Sequence, residues 1–248
     1  MIPRKTPLEI TKMRDAGRIL AMLFEHIKPM VQPGITTAQL DSEAEKFIVM
    51  NNAKPAFKGY RGYPATLCTS VNDCIIHGIP GQIKLKEGDI IGLDVGVLFN
   101  GFYSDAAITL PVGEVPAHAK ALMRTSEAAM HAGIEQAVPG NRLYDISSAI
   151  QKTAEDAGYS VVRDFVGHGI GERLHEEPQI PNYGKKGTGP LLETGMTLAI
   201  ETMINQGTWK IRILKDKWTA LTADGRLSAH FEHTIAITPD GPHILTAL

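Results

Sequence analysis

Four carboxylates and three histidines carry the chemistry that this sequence can do. The stretch DVGVLFNGFYSD, residues 94 to 105, begins and ends on aspartate. Asn100–Gly101 inside it favours a two-residue type I′ hairpin turn. Phe99 then pairs with Phe102, and Asp94 faces Ala107. Asp105 lies two residues from Ala107, so it shares a face with Asp94, about 5–8 Å away at Cβ. A one-residue bulge would break that parity. Asp94 sits in IIGLDVGVL, which reads as a buried strand, and a buried carboxylate needs a partner or a cation. Glu201, in MTLAIETM, is also the sole charge in an apolar strand. In SAHFEHTIAIT, alternation puts His230, Glu232 and Thr234 on one face and Phe231, His233 and Ile235 on the other. His168 lies between glycines in FVGHGIGERLHEEP, which also holds His175, and His77 in IIHGIP precedes a glycine. Glycine permits close approach of backbone or ligand, and loops carry function.

Each residue has a plainer reading. The aspartates could be solvated, Glu201 a salt-bridge partner, and the last strand an edge with one polar face. His233 could be a satisfied polar residue near the core. Taken together, however, Asp94, Asp105, His168, Glu201 and Glu232 form an oxygen-rich set with one imidazole. Four carboxylates in one place repel, and two divalent cations would balance them. That donor set suits Mn, Fe, Co or Zn rather than a closed structural zinc.

These residues need elements to position them. Thr6, Pro7 and Glu9 spell a capped helix start, followed by Ile10, Met13, Gly17, Leu20, Phe24 and Ile27 at helical spacing. That helix should end before VQPG at 31–34. A second helix follows over TTAQLDSEAEKFIVM, and strands and turns over 60–110. Helices return at roughly 116–137 and 143–157, and 160–248 reads as strands and loops. The order is helix, helix, strands, twice over. PG at 33–34 recurs at 139–140, and Leu85, Gly88 and Asp94 map onto Leu192, Gly195 and Glu201 with a constant shift of 107. The pattern predicts an α+β fold of two related halves, approximately 1–110 and 111–248, in a single catalytic domain, 1–248. The halves should share one sheet and one core. The repeat puts Asp94 and Glu201 at equivalent positions.

Composition sets outer bounds. The 248 residues are 43% hydrophobic and 21% charged, with net charge -2, which speaks against a general nucleic-acid binder. Two cysteines, Cys68 and Cys74, are too few for a disulfide framework and suit a reducing compartment. The N-terminal residues lack the apolar run of a signal peptide, and no segment approaches the ~20 apolar residues that span a bilayer. The expectation is a cytoplasmic protein with no membrane contact.

The ordered set Asp94, Asp105, His168, Glu201, Glu232, within LDVGV, FYSDAA, GHGIG, AIETM and FEHT, resembles the dinuclear metallopeptidases of the pita-bread fold. More narrowly, GYPATLCTSVND…IHGIP and GHGIGERLHEEP resemble the type I methionine aminopeptidases, and the likeness runs from KTPLEITKMRDAG to FEHTIAIT. The resemblance implies a pseudo-twofold antiparallel sheet covered by two pairs of helices, with a dinuclear metal site at its centre. It implies metal-dependent removal of an N-terminal initiator methionine when the second residue is small. By the same resemblance, Asp94 chelates one ion, Asp105 and Glu232 bridge, and His168 and Glu201 complete the second. The ions lower the pKa of the attacking water, and Glu201 also shuttles a proton. His175 contacts the scissile carbonyl oxygen and His77 the scissile amide nitrogen. Tyr60, Tyr63, Cys68, Leu174 and Trp218 match the methionine pocket. The implied partners are nascent polypeptide N-termini at the ribosome, for a monomeric enzyme.

Three positions depart from the family. Leu174 stands where Phe is common in bacterial relatives, His230 where Gln is usual, and Glu172 where a basic residue is common. None removes a ligand, so they bear on side-chain preference and inhibitor fit. Rival readings are an Xaa-Pro aminopeptidase or dipeptidase of the same fold, and a non-enzymatic pita-bread binding module. The first usually carries a large N-terminal domain, whereas this chain starts with the catalytic unit. The second typically loses ligands, and all five are present. Only 30 residues separate Glu201 from Glu232, which leaves no room for the helical insertion of type II enzymes.

Overall fold

The computed structural model describes residues 2–248. Its helices are α1 (Pro7–Ile27), α2 (Thr37–Met50), α3 (Ala117–Glu135) and α4 (Leu143–Asp156). The Glu9 amide donates to Thr6 Oγ1 at 3.3 Å while the Thr6 amide donates to Glu9 Oε2 at 2.6 Å, a capping box that starts α1. Thr36 and Gln39 start α2 in the same way. A 3-10 turn over Lys28–Met30 follows α1, ahead of the VQPG segment.

The strands are β1 (Lys54–Pro55), β2 (Leu67–Val71), β3 (Cys74–Ile76), β4 (Ile90–Phe99), β5 (Phe102–Pro111), β6 (Ser160–Val161), β7 (Val166–Gly169), β8 (Glu176–Pro181), β9 (Thr197–Asn205), β10 (Ile211–Ile213), β11 (Ala220–Thr222), β12 (Ser228–Thr238) and β13 (Gly241–Ile244). Ten of them form one antiparallel sheet in the order β1-β4-β5-β12-β9-β7-β8, with β2 on β4, β6 on β9 and β13 on β12. Both halves of the chain build it. The seam is β5 against β12, so β12 lies mid-sheet and not at an edge.

Asn100 (φ 49°) and Gly101 (φ 84°) are both left-handed, as a type I′ turn requires. Phe99 pairs with Phe102 and Asp94 with Ala107, with no bulge between β4 and β5. The same row continues across the seam: Ala107 faces Glu232, and Glu232 faces Glu201. On the other side, Cys68 of β2 faces Asp94. The half-repeat is visible in the backbone. Gly34 and Gly140 have φ of 98° and 93°, and Gly88 and Gly195 have 89° and 92°.

The apolar interior is built from several buried clusters. One buried cluster packs α1 and α2 on β4 and β5, through Leu20, Leu23, Leu40, Leu93 and Val95. Another packs α3 and α4 on β9 and β12, through Leu122, Ile146, Ile150, Ile200 and Phe231. Each helix pair covers its own half of the sheet, and a third buried cluster, with Met13 and Phe102 beside Ala199 and Ala236, spans the seam. A second sheet of three strands, β10-β11-β3, was not apparent from the sequence. It joins residues 74–76 to 211–222 and carries the turn holding Trp218. Among the described residues, no helix is long and apolar enough to cross a membrane.

Candidate active site

The face of the sheet turned away from the helices holds the acidic groups. Asp94, Glu232 and Glu201 stand in one cross-strand row, and Asp105 lies two residues along β5 from Ala107. Asp105 is 3% exposed and Glu232 is 2% exposed. Asp94 Oδ1, Asp105 Oδ1 and Glu232 Oε1 are buried without a hydrogen-bond partner. Burial, with repulsion from Asp105 and Glu201, raises Asp94 well above the usual carboxylate range. Burial pushes Asp105 up to about 7. Glu201 is raised by burial and by Asp105, and Glu232 by burial and by its three acidic neighbours. Such a cluster with orphaned oxygens is costly unless a cation fills it.

His168 enters from β7, opposite Ala199 and so two residues from Glu201 in the β9 register. Its Nδ1 lies 2.9 Å from the Gly169 carbonyl, which an Nδ1–H would donate to. That leaves the Nε2 lone pair free, 3.5 Å from Glu201 Oε1. Burial and nearby His175 hold its pKa down to about 3, so it is neutral, as a ligand must be. The flanking glycines have a steric cause. A Cβ at Gly167 would lie 2.5 Å from the Ala199 carbonyl oxygen, and one at Gly169 would strike the Glu177 carbonyl. One donor atom from each of Asp105, His168 and Glu232 falls within 4.8 Å of the others, a spacing that can hold an ion. The donor chemistry and the unpartnered oxygens therefore fit divalent metal.

The carboxylates form the floor of a cavity. Tyr60, Tyr63, Cys68, Leu174 and Trp218 line its walls, with His77 and His175 at its sides. The Tyr63 hydroxyl donates to the Leu67 and Gly78 carbonyls at 2.9 and 3.1 Å, so its polar end is satisfied and its ring stacks edge-on to Trp218. Burial, then Asp94, raises the Cys68 thiol well above its ordinary value, which makes it a wall and not a nucleophile. His77 sits at φ 59°, a conformation rare for a residue with a side chain. Its ring meets Phe165 and Trp218 edge-on, and burial with His175 lowers it to about 4. His175 Nδ1 is 2.9 Å from the Tyr60 hydroxyl, and its ring lies against His168 with centroids 4.2 Å apart.

A model of metallopeptidase family M24 matches residues 11–239. The chain belongs to metallopeptidase family M24. This M24 chain is 53% identical over 248 residues, all of both sequences, to the methionine aminopeptidase of Clostridium perfringens. A crystal structure of methionine aminopeptidase from Rickettsia prowazekii superposes with TM-score 0.98 at 44% identity, covering 99% of this chain and 100% of that one. The pita-bread architecture follows, with helices on one face and the acidic cluster central on the other. An Xaa-Pro dipeptidase from Bacillus anthracis superposes with TM-score 0.78 at 23% identity over 61% of its own length, a likeness of fold alone.

Sequence reasoning missed two residues that line the M24 cavity, Phe57 and Arg61. Arg61 is left-handed at φ 50° between Gly59 and Gly62, and those glycines were the available signal. A buried ion pair was also missed. Lys5 Nζ meets Glu176 Oε2 at 2.6 Å, next to His175, and the Lys5 amide donates to the Gly195 carbonyl. This contact ties the N-terminal segment to the loop bearing Leu174 and His175. Glu172 is exposed on the outside of that loop and does not line the cavity.

Removing metal from this M24 metallopeptidase should leave a pH signature. Asp105 keeps its proton to about 7 when folded, against an ordinary carboxyl value of 3.8. A carboxyl raised on folding binds more protons in the folded chain across that window, so stability falls as pH rises through it. The lowered imidazoles, His77, His168, His230 and His233, act oppositely, but their window closes at the ordinary imidazole value of 6.5. Between about pH 6.5 and about pH 7 the raised Asp105 therefore dominates. Chelator-treated protein is expected to lose Tm steadily over that range, and saturating Mn or Co to flatten the curve. A chelated Tm that rises with pH there would contradict the account.

Proposed function

We propose that the chain hydrolyses the bond after an N-terminal methionine in a metal-dependent reaction, with Asp94, Asp105, His168, Glu201 and Glu232 holding two divalent ions. One observation carries this reading: the row of buried, unpartnered carboxylates opens directly onto an apolar slot. The full-length identity to a methionine aminopeptidase supports the same substrate. In this assignment Asp105 and Glu232 would serve both ions, Asp94 one of them, and His168 with Glu201 the other. Co, Mn, Fe or Zn suits that donor set. Bound there, the ions supply Lewis acidity at the scissile carbonyl and lower the pKa of water.

The chain's own groups do the rest. Tyr60, Tyr63, Cys68, Leu174 and Trp218 enclose an apolar slot matched to an unbranched thioether. With the Tyr60 hydroxyl as donor to His175 Nδ1, 2.9 Å away, the proton of the neutral ring would sit on Nε2. That N–H can donate to the carbonyl oxygen as negative charge develops there. His77 approaches the amide nitrogen. Glu201 can take up a proton and pass it to the leaving amine. The substrates are nascent-chain N-termini with a small second residue, met at the ribosome in the cytoplasm by a monomeric enzyme.

The test supplies Mn or Co with a Met-Gly-Met peptide beside an Xaa-Pro peptide. Methionine release from the first alone is expected, and activity confined to the second would overturn the assignment. Tyr60→Phe keeps the ring in the slot and removes only the hydroxyl. It should lower kcat roughly 5–20-fold, about one hydrogen bond to the ring that donates, with KM nearly unchanged. An unaltered kcat would mean that another group sets the His175 tautomer.

A further inference from the structure

His230 is 3% exposed on β12, on the same face as Glu232. Its Nε2 is buried and has no hydrogen-bond partner. A buried polar atom left unpaired is uncommon and marks a missing partner. The carboxylates nearest to it are Glu201 Oε2 at 3.8 Å and Glu232 Oε2 at 4.0 Å. Both distances exceed the ~3.2 Å reach of a hydrogen bond. They do match donors that share an ion, because bonds of about 2.0–2.2 Å allow donor separations up to about 4.4 Å. His168 Nε2 stands off Glu201 Oε1 by a similar 3.5 Å. Glu201 thus lies between two imidazoles and turns one oxygen to each.

Two three-donor groups meet the spacing for an ion: Asp105–His168–Glu232 and Glu201–His230–Glu232. They share only Glu232. We infer that His230 Nε2 is itself a metal ligand, closing the second group, so that the loaded protein carries two imidazole donors and not one. The inference rests on the metal-centre reading above. The added nitrogen would also favour Co, Fe or Zn over Mn.

The test uses cobalt(II) alone, without substrate, on the native chain and on His230→Gln, which keeps a polar side chain of similar reach but removes the imidazole. X-ray absorption of the native chain at two equivalents should give about one imidazole per cobalt, and about half that in the variant. Calorimetric titration should show one binding step weakened at least ~10-fold in His230→Gln. The chelated variant should keep its Tm within about 3 °C of the chelated native chain. Half an imidazole per cobalt in the native chain, or native affinity in the variant, would overturn the inference while leaving the metal centre intact. No cobalt uptake by the native chain would overturn both. The imidazole count on the native chain decides the matter even should the variant not fold.

Discussion

Asp105→Asn is expected to weaken both ion positions together and to lower kcat/KM by about 10³-fold or more, since a metal-dependent hydrolysis loses its Lewis acid when the ions leave. The change is nearly isosteric, and Asp105 is 3% exposed, so the local packing has little reason to move. What changes is charge. Asp105 stands among the causes that raise Asp94, Glu201 and Glu232. Removing it relieves that repulsion, so the chelated variant should melt higher than the chelated native chain at neutral pH, though it binds metal less well. Opposite signs for metal affinity and metal-free stability distinguish a bridging ligand from a residue that merely supports the fold. Elemental analysis showing unchanged metal content would contradict the bridging role.

His77→Ala should do the reverse. Metal content should stay at the native value, while kcat falls about 10²-fold, the usual scale for losing one positioned proton-transfer or hydrogen-bonding group. His77 belongs to neither of the two ion-spaced groups, and its ring contacts are Phe165 and Trp218. Its left-handed backbone is set by the turn into Gly78, where a Cβ would strike the Thr69 carbonyl. Residues held in sparsely populated conformations cluster at functional sites because the surrounding structure forces them there. Loss of an ion in this variant would show that the ligand set has been misassigned.

The parts of the site that were readable from sequence were those with a local cause. Asn100–Gly101 fixes a turn, the turn fixes a register, and the register puts Asp94 and Asp105 on one face without knowledge of the rest of the chain. The shift of 107 then brought in Glu201 through a repeat, without any contact having to be inferred. The pairing of Glu201 with Glu232, 31 positions on, and of Glu232 with Ala107 of the β4–β5 hairpin, more than 100 positions back, carried no such signal. The small β3–β10–β11 sheet was hidden for the same reason, because its strands are three residues each and come from distant segments. Arg61 and Phe57 were passed over because exposed or half-buried residues in a loop have no periodicity to betray them. Lys5–Glu176 joins the first turn of the molecule to the loop of His175, and nothing in either segment alone announces the other.

The two apolar clusters, one under each helix pair, meet at the seam where the acidic row crosses from β5 to β12. Both cysteines are free, so no covalent link spans that line. Ions held by Asp94 and Asp105 from one side and by His168, Glu201 and Glu232 from the other would add a tie across it, beside Lys5–Glu176 and the cluster of Met13 and Ala236. Ligand that binds only the assembled state makes the parts that form its seat unfold together. Cooperativity in this chain should then grow with its metal load: the filled protein is expected to unfold in a sharper transition than the stripped one.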